Sequence, residues 1–233
     1  MIDDDYTFLK LQGLSLHRDG KYQEAIECYD KALKIKPEDS ICLNSKARSL
    51  RCLGRYEDAI ECYNKALEIK PDDYYSFYEK GLTFVELNKY EYAVKCFDRA
   101  IKIKPIDYDS VYKKGFILNE LGKYEEAIKC FDRALAIKPD DYRSFYEKNF
   151  SFKELGKYEE ASKCYNQYLK NKPSDKLSDK KSFRKKSNVF SRYKTIHSDT
   201  IHEIAQETFK EVFDNILEEG MKAIVPFFKP PKK

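Results

Sequence analysis

Between Tyr108 and Asp141 the apolar residues recur at helical spacing, first as Val111, Tyr112, Gly115, Phe116 and Leu118, then as Tyr124, Ala127, Ile128, Phe131, Ala134, Leu135 and Ile137. This pattern predicts two helices joined by the short turn Leu121-Gly122-Lys123-Tyr124. Gly122 suits the left-handed conformation that closes the first helix, and Pro139 stops the second just past its last turn. The pattern then returns along the chain. Five of the eight prolines, Pro37, Pro71, Pro105, Pro139 and Pro173, follow one another at 34 residues, and a fixed period of this length marks a repeat array. Alignment on them brings Tyr22, Tyr56, Tyr90, Tyr124 and Tyr158 into one column and Ala25, Ala59, Ala93, Ala127 and Ala161 into another. Gly13, Gly81 and Gly115 form a third column, and Gly20, Gly54, Gly122 and Gly156 a fourth. Five copies result, 6–39, 40–73, 74–107, 108–141 and 142–175, after an N-terminal extension at 1–5.

The segments Gly122-Lys-Tyr-Glu-Glu-Ala-Ile128 and Phe131-Asp-Arg-Ala-Leu-Ala-Ile-Lys-Pro139 carry a resemblance to the tetratricopeptide repeat family. Two departures are local. The place usually held by Trp carries Leu9, Leu43, Phe77, Val111 and Phe145, and the fifth copy has Asn149, Tyr168 and Asn171 where small or apolar residues are the rule, so it reads as an end. The resemblance implies an all-α fold: a right-handed α-solenoid of antiparallel helix pairs, with first helices lining a concave groove and second helices facing outward. Each repeat then touches only its neighbours.

Composition adds limits. The chain of 233 residues is 36% charged and 42% hydrophobic, and its 19 Tyr and 15 Phe argue against wholesale disorder. No apolar run approaches the roughly 18 to 20 residues of a bilayer span, and Met-Ile-Asp-Asp-Asp at the start does not resemble a signal peptide. A soluble, cytoplasmic protein is the expectation. Cys28, Cys62, Cys96, Cys130 and Cys164 share a column, with Cys42 and Cys52 outside it. Equivalent residues of adjacent repeats stand about 10 Å apart, beyond the reach of a disulfide, so packing thiols in a reducing compartment are expected.

Projected onto the first helices, the family's concave positions give Lys10, Leu11, Leu14, His17, Arg18, Asn44, Arg48 and Arg51 in the first two copies, a basic end. Later copies give Tyr78, Leu82, Glu86, Tyr112, Phe116, Glu120, Tyr146, Phe150 and Glu154, with Glu79 and Glu147 beside them and Lys113, Arg143 and Lys153 diluting the acid. The candidate groove for a partner peptide or helix is Lys10, Leu14, Arg48, Tyr78, Leu82, Tyr112, Phe116, Tyr146 and Phe150. The competing reading has these rings packing against adjacent first helices. A carboxylate clamp of the kind some family members use for chaperone C-termini is disfavoured, because of its matching positions read from the first copy only Lys10 survives.

After Pro173 the period stops. Residues 176–198 form a basic linker in which Lys180, Lys181, Arg184, Lys185 and Lys186, interleaved with Phe183, Phe190 and Tyr193, are candidates for nucleic-acid contact. From 176 onward 13 Lys and Arg oppose 8 Asp and Glu, so the tail carries +5 and the rest of the chain −1 of the net +4. Residues 199–220 predict an amphipathic helix, with Thr200 and Glu203 as a capping box and Gly220 as its stop. It could cap the fifth repeat, meet a partner, support self-association or occupy the chain's own groove, and 221–233 reads as a mobile tail. No catalytic set, cofactor motif or metal-ligand spacing is found: His197 and His202 are five apart, and no Gly precedes Gly122 at phosphate-loop spacing. The sequence therefore reads as a non-catalytic interaction scaffold or adaptor, with a ribonucleoprotein component as the alternative.

Overall fold

The computed structural model describes residues 2–173, with side chains from residue 5 onward. Ten helices fill that span: α1 (Ile2–Arg18), α2 (Tyr22–Ile35), α3 (Ser40–Cys52), α4 (Tyr56–Ile69), α5 (Tyr74–Glu86), α6 (Tyr90–Ile103), α7 (Tyr108–Glu120), α8 (Tyr124–Ile137), α9 (Tyr142–Glu154) and α10 (Tyr158–Asn171). The linker 176–198, the helix predicted over 199–220 and the tail 221–233 lie outside the described residues.

Each repeat contributes one pair. The first helix of a pair ends where Gly20, Gly54, Gly122 or Gly156 takes a positive φ, and Asn88 (φ 55°) does the same in the third repeat. Asn is the side chain best able to replace glycine there, since its amide can bond locally. Gly115 has a different purpose: a Cβ there would stand 2.9 Å from Cε1 of Phe131 and 3.0 Å from Cβ of Cys130, so its absence lets α7 and α8 touch. Tyr29, Tyr63, Phe97 and Phe131 are fully buried, each in the second helix of its repeat, and the alanine columns pack around them. In the fifth repeat the equivalent Tyr165 is 42% exposed.

Four aspartates join successive repeats. Asp39, Asp73, Asp107 and Asp141 cap the N-termini of α3, α5, α7 and α9, each accepting backbone N–H bonds from the first turn. Three also accept a tyrosine hydroxyl from the start of the preceding first helix: Tyr6 to Asp39, Tyr74 to Asp107, and Tyr108 to Asp141 at 2.6 Å. Ser40 replaces the tyrosine in the second repeat, where Asn44 Nδ2 donates to Asp73 at 2.9 Å instead.

Helices consecutive in the chain pack throughout, and α1 also meets α3, α3 meets α5 and α7 meets α9. These skipped contacts all lie within the layer of first helices. A layer whose members crowd closer is the inner side of a curve, so the first helices form the inner face.

Candidate functional site

The inner face is carried by α1, α3, α5, α7 and α9. At its N-terminal end the basic candidates are tied into the scaffold. Lys10 Nζ sits 2.7 Å from Asp39 and 3.2 Å from the Tyr6 hydroxyl, and the Arg48 guanidinium lies over the Tyr75 ring at 5.7 Å and 3.8 Å from Glu79. His17 Nδ1 shares a 2.9 Å hydrogen bond with Ser49 Oγ, and burial, with Arg48 nearby, lowers its pKa. Leu14 is exposed, as are Leu11 and Ile41.

Toward the C-terminal end the three tyrosines of one column are not equivalent. Tyr112 is 6% exposed: it stacks on Tyr108, meets Phe131 edge-on, and Arg143 of the next repeat covers it at 5.4 Å. The corresponding residue over Tyr78 is the short Asp109, and Tyr78, against Tyr74 and Phe97, stays half-buried. Tyr146 is 49% exposed and packs 5.3 Å from the Tyr168 ring of α10. A ladder of three like rings is thus corrected to one core ring, Tyr112, and two accessible ones. Leu82, Phe116 and Phe150 are all half-buried, and Phe150 meets Tyr124 edge-on at 6.1 Å.

Two buried carboxyls flank these rings. Glu79 meets Arg51 at 3.1 Å, an ion pair between α5 and α3. Glu147 in α9 is 8% exposed, and burial pushes its carboxyl up to about 7. Asn119 softens that shift with a hydrogen bond, while the nearby Glu120 adds to it and Lys113 opposes it. Glu120 is itself raised by burial.

Sequence reasoning missed the Asp–Tyr links between repeats. Their signal is present as a further 34-residue column, Asp39, Asp73, Asp107 and Asp141, followed at three residues by Ser76, Ser110 and Ser144 in the last three. Lys180, Lys181, Arg184, Lys185 and Lys186 lie outside the described residues. All seven cysteines are free thiols, and burial pushes Cys42 up to about 12 and Cys96 to about 11. Among the described residues no group of three or more His, Cys, Asp or Glu could hold a metal, and no helix is long and apolar enough to cross a membrane.

Paired helices stacked at a fixed period, with a continuous inner face, define a helical-repeat scaffold for protein interaction. Family models described as tetratricopeptide repeat match residues 6–72, 74–107, 108–141 and 144–175. The chain belongs to the tetratricopeptide repeat family and forms its all-α superhelix. Among solved structures, "Crystal structure of MamA protein" is similar at 22% identity and TM-score 0.68, covering 79% of this chain and 97% of that one. "MamA 41-end from Desulfovibrio magneticus RS-1" is similar at 18% identity and TM-score 0.68, covering 73% and 97%. At such identities the likeness concerns the fold. No curated protein matches the sequence.

Proposed function

We propose that the protein is a non-catalytic adaptor whose inner face, from α5 to α9, holds an extended or helical segment of a partner protein. The observation that carries this reading is the row of accessible apolar side chains there: Leu82, Phe116, Phe150 and Tyr146 lie on three successive first helices. Aromatic side chains held by a rigid scaffold offer large contact area at little conformational cost. Tyr112, 6% exposed, packs into the core instead.

Photo-crosslinking in native lysate tests the reading. A crosslinking side chain at Phe116 or Phe150 of the full chain should capture a set of proteins that the same group at Lys129, exposed on α8, does not. Identical capture from both faces overturns it. The ribonucleoprotein alternative rests on 176–198, and it gains if capture disappears with nuclease or collapses steeply with salt.

A further inference from the structure

One column of the repeat places Glu79 in α5 and Glu147 in α9, two repeats apart and equally deep, at 6% and 8% exposure. Glu79 is met from the preceding first helix by two guanidinium groups, Arg51 at 3.1 Å and Arg48 at 3.8 Å. At Glu147 the preceding helix is α7, and the residues in those two places are Asn119 and Phe116. Asn119 Nδ2 donates to the Glu147 backbone carbonyl at 3.3 Å and also reaches its carboxyl, while Asn119 Oδ1 accepts from Ser151 at 2.7 Å. A neutral amide therefore stands where the same scaffold elsewhere supplies a cation, and Glu120 adds a second carboxyl. Lys113 is the cation whose charge acts on that carboxyl, and burial outweighs it, so the group is held away from its ordinary ionisation and rests near 7.

We propose that the inner face between repeats four and five takes an arginine side chain of a partner polypeptide, its guanidinium seated on Glu147 and Glu120 as Arg51 is seated on Glu79. Guanidinium is favoured over ammonium because it is weakly hydrated, binds carboxylate in two places and stacks on rings. Phe116 and Phe150, half-buried on the same two helices, provide those rings. Charge complementarity fixes the occupant as a cation, and the apolar row around it fixes the carrier as a polypeptide. The inference rests on the groove reading above.

Selection of a phage-displayed library of random twelve-residue peptides on the full-length protein tests it, followed by affinity measurement of synthetic winners. The expected result is a fixed arginine next to apolar positions. Glu147→Gln should weaken those peptides about tenfold or more, and Asn119→Arg, which supplies the guanidinium from within, should do the same with helicity and melting temperature preserved. Winners that depend on Phe116, lost on Phe116→Ala, but show no arginine preference and bind Glu147→Gln equally overturn this inference and leave the groove reading standing. Absence of any winner that depends on Phe116 overturns both.

Discussion

Asp141 and Glu147 sit on one helix less than two turns apart, yet their carboxyls shift in opposite directions. Burial alone would raise Asp141, but the Tyr108 hydroxyl, the Ser144 hydroxyl and backbone N–H, and Arg143 together hold it below the ordinary range. At Glu147 burial, with Glu120 beside it, outweighs the Asn119 amide and the charge of Lys113 and carries it up. The two contribute to stability with opposite sign. A native carboxyl near 7, against an ordinary 4.5, binds a proton that the unfolded chain has released, so its contribution is fully present below 4.5 and is lost as pH rises through 7. The loss is on the order of 3 kcal/mol. Glu147→Gln should abolish it, so that urea unfolding finds the variant more stable than wild type at pH 8 and little different at pH 5. Asp141 acts the other way: its contribution is present above the ordinary 3.8 and lost only as pH falls below it.

Between elements, the repeats are held by interlocking apolar columns and by polar ties that recur with the period. Lys46 to Asp30, Lys114 to Asp98 and Lys148 to Asp132 join a first helix to the preceding second helix at 2.5, 2.6 and 2.5 Å. The aspartates of these pairs are about half exposed, so each tie contributes under about 1 kcal/mol. The buried Asp–Tyr links matter more. Asp141→Ala would remove the cap of α9 and leave the buried Tyr108 hydroxyl without its acceptor, at a cost of about 1 to 3 kcal/mol; chemical unfolding of the variant at pH 7 measures it. Helix pairs and turns were legible because Pro139, Gly122 and the alanine columns act locally and recur. The Asp–Tyr links were harder to read, since Tyr108 and Asp141 are 33 residues apart and nothing local in the chain says that a hydroxyl will meet a cap.

Across the whole described array each repeat depends on its neighbours, so the ends are weakest. Phe131 is fully buried among residues of its own and the preceding repeat, whereas its counterpart Tyr165 is 42% exposed and Leu169 and Tyr158 more so. Hydrogen exchange should therefore find the amides of α10 opening before those of α4, α6 and α8; uniform protection across the four would contradict a linear, nearest-neighbour array. The proposed contact row belongs to this scale too, because its members come from three repeats.

The sequence by itself determined the repeat, its period, the helix pairs and the side of each helix that is buried, since these follow from spacing and from the backbone limits of Gly and Pro. Tertiary structure decided which members of a column reach the surface. Tyr78, Tyr112 and Tyr146 are identical in sequence terms, but Asp109 leaves the first half-open, Arg143 covers the second, and Tyr146 lies against Tyr168 at the end of the described array. Glu79 and Glu147 divide in the same way. Burial and charge at each depend on the residues the preceding repeat brings against it, and that is set by packing between helices far apart in the chain.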